Sequence, residues 1–201
     1  MTDIATLKAR NAQRWEKAQV LGNLVPYLDA TARRLTAEPA RSRYHTVSLA
    51  TRVPWFVIAV IHERESSQSW AASLAQGDPW NKTSIHVPRG RGPFASWEDA
   101  AIDALSNCAP FASRWVDWSP GGALTLLEEY NGLGYAARGV PSPYLWAATD
   151  QYVSGKYIAD GHYDPLAVDH QLGCAALLKR MALDGSIQFA ASAVQPRSGE
   201  A

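Results

Sequence analysis

Residues 60–70 read VIHERESSQSW, an apolar run from Val53 to Ile61 that ends abruptly in a His, two Glu and an Arg. A carboxyl group at the mouth of an apolar pocket keeps its proton to a higher pH, because desolvation disfavours the charged form. An acid catalyst of glycosidic cleavage needs that property, since it must still hold a proton when it meets the leaving oxygen. Glu63 and Glu65 are both placed for such work. Two residues apart on a helix means ~200° of rotation, so they point to opposite sides and at most one can face a given cleft. The other is expected to be structural, paired with Arg64 or with a base from elsewhere in the chain.

Glycosidases commonly use a second carboxylate. Asp78 follows Glu65 by thirteen residues, in the turn QGDPWN. It lies off the helix face, on a loop that could fold back across a groove. A carboxyl separation of ~6.5–9.5 Å would leave room for a water and give inversion at the anomeric carbon. Asp-Pro is equally an ordinary turn pair, so both readings of Asp78 stand at this point.

The surrounding pattern predicts the elements that position these groups. Residues 4–36 read as one or two amphipathic helices, with Leu21, Leu24, Leu28 and Leu35 at helical spacings. TAEPARSRYH reads as a break, after which Thr51 caps a helix with Pro54 near its first turn. That helix is apolar on nearly every face, as befits the centre of a domain. Residues 76–94, rich in Gly and Pro, read as an irregular segment with a short strand at TSIHV. Loops this long tend to be functional.

Ser96 caps the next helix with Asp99 three residues on, which assigns Asp99 to capping rather than catalysis. GGALTLLEEYNGLGY reads as a helix broken at Asn131-Gly132, SPYLWAATDQYVSG as another, and DPLAVDHQLGCAALLKRMAL as the last. The expected fold is mainly α, α+β at most: one domain with a central buried helix and a short strand and loop region. Residues 1–42 are expected to be a helical extension packed on the domain, 43–192 the catalytic domain, and 193–201 a disordered tail.

Composition narrows the function classes. The 201 residues are 47% hydrophobic and 19% charged, ordinary values for a soluble globular protein. Nineteen basic and nineteen acidic residues cancel, so no overall basic field draws the chain to nucleic acid or to a membrane. Eight Trp and eight Tyr suit both a core and a sugar-binding groove. Cys108 and Cys174 match no metal spacing; they read as two buried thiols, or as a disulfide if the protein reaches an oxidising compartment. HERES lacks the second His of a zinc-binding pair, so no metal or cofactor is expected. The first residues hold no continuous apolar stretch, so synthesis in the cytoplasm without a signal peptide is expected.

AVIHERES followed by EEYNGLGY resembles the lysozyme-like superfamily, in particular goose-type lysozymes and soluble lytic transglycosylases. In those enzymes a helix ends in a Glu-Ser pair whose Glu is the acid, and a later helix carries Tyr-Asn-x-Gly. The resemblance places the acid at Glu65 and the Tyr-Asn pair at Tyr130 and Asn131. Gly77 and Asp78 match a Gly-Asp whose carboxylate is implicated in positioning water. Over about residues 43–183 the chain is still more similar to phage and prophage endolysins, some with Tyr at the position of Glu63, which favours Glu65.

One departure stands out: a Gly-rich segment ending in Gln is replaced by TSIHVPRG, so Thr83, His86 and Arg89 would line the cleft in its place. Thr83 would hold a water or a sugar hydroxyl, or be a plain loop residue; His86 would take part in the site or be a hydrogen-bonded loop residue. Tyr130 would bond near the acid and Asn131 would hold an N-acetyl group, unless the pair only ends its helix.

The resemblance implies a peptidoglycan hydrolase, a muramidase cutting between N-acetylmuramic acid and N-acetylglucosamine. It implies a monomer with the wall polysaccharide as its partner, acting at the cell wall or periplasm after holin-assisted release. A lytic transglycosylase using the same acid, a chitinase, and a noncatalytic wall-binding protein are the alternatives.

Overall fold

The computed structural model describes residues 3–75 and 77–190, and the tail from residue 193 lies outside them. Among the described residues the chain is mainly helical. The elements in order are α1 (Ile4–Lys17), α2 (Val25–Thr36), α3 (Ala40–Thr51), α4 (Trp55–Ser66), α5 (Trp97–Asn107), α6 (Pro120–Asn131), α7 (Gly134–Arg138), α8 (Pro143–Trp146), β1 (Lys156–Ala159), β2 (His162–Asp164) and α9 (Cys174–Leu183). β1 and β2 form a two-stranded antiparallel sheet in which Tyr157 faces Tyr163.

Helix α4 is the axis of the fold. Val57, Ile58, Ala59, Val60 and Ile61 are all fully buried, whichever side of the helix they occupy. Each large aliphatic side chain there contributes roughly 1.5–3 kcal/mol of burial. Around α4 pack α3, α9, α6 and α2. The N-terminal helices belong to this same core: Leu28, Ala32 and Leu35 of α2 lie in it, and α1 packs along α6. A buried Asn11 fastens that contact, its Nδ2 donating to Glu128 Oε2 at 3.0 Å and reaching Thr125 Oγ1 at 3.3 Å. No single described helix is long and apolar enough to cross a membrane.

Local expectations hold in some places and fail in others. Ser96 caps α5 as expected, accepting the Asp99 N–H at 3.1 Å. Thr51, expected to cap α4, ends α3 instead: its hydroxyl bonds back to the Val47 carbonyl at 2.8 Å. Arg52 then turns left-handed, α3 and α4 meet at 114°, and Pro54 occupies the N-cap of α4. The break read over TAEPARSRYH covers only its first residues, because α3 starts at Ala40.

SPYLWAATDQYVSG makes a single helical turn rather than a full helix. Its continuation is pulled out by the N-terminal segment, where Leu21 N–H bonds Ala148 O at 3.1 Å and Asp150 N–H bonds Gln19 O at 2.9 Å. The last helix begins only at Cys174. Gly173 before it needs to lack a side chain, since a Cβ there would lie 2.4 Å from the Leu145 carbonyl oxygen.

The strand expected at TSIHV does not form. The Asp78 side chain takes two of its N–H groups, and Ser84 closes a tight loop onto residues 88–91, with its N–H on Arg91 O at 2.9 Å. Asp78 Oδ2 accepts from Ile85 and His86 N–H, and Ser84 Oγ accepts from Arg91 N–H at 2.9 Å while donating to Pro88 O at 2.8 Å. The sheet sits at residues 156–164, with Asp160 and Gly161 between its strands.

Candidate active site

The opposed directions of Glu63 and Glu65 follow from helical rotation, and the structure gives each a different partner. Glu63 turns toward α2 and pairs with Arg34 at 2.8 Å. Glu65 turns toward α8, where the Tyr144 hydroxyl donates to its Oε1 at 2.9 Å. Glu63 is thus held by a base from outside its own helix.

The end of α4 is held by a buried network. His62 is enclosed by Tyr44, Trp70 and Trp97, and burial lowers its imidazole to about 4, so it is neutral. With Nε2–H donated to Ser69 O at 2.9 Å, Nδ1 is free to accept the Tyr44 hydroxyl at 3.0 Å. Gln68 Nε2 donates in turn to the same Tyr44 oxygen at 3.0 Å, and Arg34 bonds Gln68 as well as Glu63. On the opposite side the buried Arg64 pairs with Asp169 at 3.1 Å, and its guanidinium lies 4.9 Å from the centre of the Tyr144 ring. Glu65 thus projects from a helix end fixed on both flanks.

Desolvation dominates the electrostatics of Glu65. It pushes the carboxyl from its ordinary 4.5 up to about 7, against the opposing pull of the Tyr144 hydroxyl and the Arg64 charge. The site therefore holds a carboxylic acid that is substantially protonated near neutrality and still able to release its proton.

Asp78 has the opposite character. Two backbone N–H groups, from Ile85 at 2.9 Å and His86 at 3.0 Å, bond its Oδ2, and His86 Nδ1 lies 2.7 Å from Oδ1. These hydrogen bonds hold the carboxyl below its usual range, in its ionised form. The preceding turn comes back against α4: a Cβ on Gly77 would lie 3.8 Å from the Glu65 carbonyl oxygen. His86 remains largely exposed, with 68% of its side chain accessible, and Thr83 and Arg89 are also exposed on this loop.

Burial raises the Tyr130 phenol well above its ordinary value, and the nearby Glu65 charge adds to the effect. Its hydroxyl donates to Leu74 O at 2.9 Å, and the hydroxyl that bonds the Glu65 carboxyl is that of Tyr144. Asn131 is exposed at the end of α6, with Nδ2 3.4 Å from Ser142 Oγ. Gly132 follows with φ +93°, so Asn131-Gly132 also ends the helix as its chemistry predicts.

Sequence reasoning missed two residues that organise this region. Tyr144 carried no local signal of its role, being one apolar-flanked aromatic in SPYLWAA. Ser84, buried and bonded across its loop, lay inside the segment read as a strand. The two cysteines are free and buried, and burial pushes the Cys174 thiol up to about 12. Among the described residues no cluster of three or more His, Cys, Asp or Glu side chains could hold a metal ion. No protein-family model, curated protein or solved structure matches this chain.

Proposed function

We propose that this protein is a peptidoglycan hydrolase, a muramidase that cleaves the β-1,4 bond between N-acetylmuramic acid and N-acetylglucosamine. The observation that carries the reading is Glu65: a carboxyl raised to about 7 at the end of a rigid buried helix, oriented by the Tyr144 hydroxyl. In this mechanism Glu65 gives its proton to the bridging oxygen as the C–O bond breaks and positive charge builds on the sugar ring. Asp78, kept ionised by its three hydrogen bonds, orients a water and receives its proton as the water oxygen bonds the anomeric carbon. A carboxylate has about four lone-pair positions, so three hydrogen bonds leave one for that water. The resemblance of HERES, GD and YNG to the lysozyme-like superfamily supplies the substrate class, an endolysin acting at the cell wall after holin-assisted release.

One observation favours a second reading. Asp78 organises the backbone at Ile85 and His86, which is a sufficient structural role for its carboxylate. In a lytic transglycosylase Glu65 would act as acid and then as base, and the muramic acid 6-hydroxyl would replace water, leaving an anhydro end. Digestion of purified peptidoglycan separates the two: reducing muramic acid ends support the hydrolase, anhydro ends the transglycosylase. No released fragments would contradict both.

A further inference from the structure

We propose that the loop at residues 82–91 is a membrane-docking element, which sets Ile85 and Val87 into the surface of an anionic phospholipid bilayer. Both side chains stand clear of the core: Ile85 is 71% exposed and Val87 is 79% exposed. His86 between them is exposed as well, so three consecutive residues project beyond the loop's stem.

The stem is closed by backbone bonds and braced from outside. Ser84 N–H donates to Arg91 O at 2.9 Å, and Gly90 N–H donates to Ser84 O at 3.0 Å. Gly92, at φ +78°, lets the returning chain pass beside Lys82, since a Cβ there would lie 2.9 Å from the Lys82 carbonyl oxygen. Arg91 ties the base of the loop to α5, its Nε donating to Asp103 Oδ2 at 2.8 Å. Asp78 already accepts the Ile85 and His86 N–H groups, so these donors keep their partner when the tip leaves water. A loop fixed in advance loses little conformational entropy on docking.

Charge selects the kind of surface. The whole chain is neutral, but residues 79–97 hold one Lys, two Arg and no Asp or Glu. Arg91 is taken up by Asp103. Lys82 and Arg89 are exposed and, among the described residues, have no ion-pair partner. Two apolar side chains fall far short of the ~800 Å² that each partner gives to a standard protein interface. Branched apolar groups flanked by free cations suit instead the boundary between acyl chains and anionic headgroups.

The test is flotation of the full-length protein with vesicles of three parts phosphatidylethanolamine to one of phosphatidylglycerol. Half-binding is expected near ~1 mM lipid, a partition weaker than the ~10⁴ M⁻¹ of a single myristoyl chain. Vesicles of phosphatidylcholine alone are expected to bind at least ~10-fold less, and about 0.5 M NaCl to weaken binding to the anionic ones. The double variant Ile85→Ser, Val87→Ser is expected to bind about 10-fold less tightly, the effect of losing two partly inserted apolar side chains. Lys82→Gln with Arg89→Gln is expected to lose about 25-fold, roughly fivefold for each cation at an anionic surface. All four side chains are exposed, and thermal unfolding of each variant within a few degrees of the native protein shows that the fold is kept. No vesicle binding, equal binding to neutral vesicles, or undiminished binding by the Ser variant would overturn the proposal. Binding to purified peptidoglycan that the same substitutions abolish, with no binding to vesicles, would also overturn it and give the loop to the wall polymer.

Discussion

The Tyr144 hydroxyl stands 2.9 Å from Glu65 Oε1, joining residues 79 positions apart, while the Arg64 guanidinium lies over the Tyr144 ring. A hydrogen bond to the charged form favours that form, so Tyr144 restrains the upward push of burial on Glu65. It also fixes the direction of the carboxyl. In Tyr144→Phe the acid rises further, and the alkaline limb of the activity profile moves to higher pH. The rate falls by about 3–10-fold through lost orientation. Rate–pH profiles of both proteins on purified peptidoglycan check this; a limb that stays in place would remove Tyr144 from the site.

The native profile follows from the same group. An acid catalyst works while it holds its proton, so activity is retained below about 7 and declines as pH rises through that value. Turbidity clearing of wall suspensions across pH 5 to 9 measures it. A profile flat through neutrality would mean that the rate does not depend on protonated Glu65.

Glu65 also carries a stability consequence. Its carboxyl titrates at 4.5 when unfolded and about 7 when folded, so between these values the folded state binds more protons. Stability from this group therefore falls as pH rises through that window and stays lower above it. Glu65→Gln removes the penalty of a desolvated charge. The variant is expected to be more stable than the native protein by roughly 1–3 kcal/mol near pH 8 and no more stable near pH 4. Thermal unfolding at the two pH values decides it, and an equal gain at both would show that charge is not the cause.

Asp78→Asn separates the base from the loop organiser. The amide oxygen can still accept N–H groups, but its nitrogen cannot accept from His86, whose Nδ1 is 2.7 Å from the native carboxylate. As the base of a hydrolase, Asp78 is worth about 10²–10⁴ in rate. The variant is expected to lose at least ~100-fold while unfolding within a few degrees of the native protein. A near-normal rate would favour the transglycosylase.

The parts of this site legible in the sequence are those written locally. An apolar run ending in HERES marked α4 and its two carboxylates, the Ser96–Asp99 spacing marked α5, and Asn131-Gly132 marked the end of α6. Contacts across the chain were not legible. Nothing near Tyr144 announces Glu65, and Arg34 was one of several outside bases that could meet Glu63. TSIHV has strand-like residues, but the Asp78 carboxylate takes the Ile85 and His86 N–H groups, and Ser84 folds the segment onto Pro88 and Arg91. The hairpin was missed although Asp160-Gly161 between KYIA and HYD is a turn signal of the expected kind.

The most direct measurement is mass spectrometry of fragments released from purified peptidoglycan by the native protein, Glu63→Gln and Glu65→Gln. Reducing muramic acid ends are expected from the native protein and from Glu63→Gln, whose carboxylate pairs with Arg34, and none from Glu65→Gln. Continued release by Glu65→Gln, or no release by the native protein, would contradict the assignment of Glu65 as the acid.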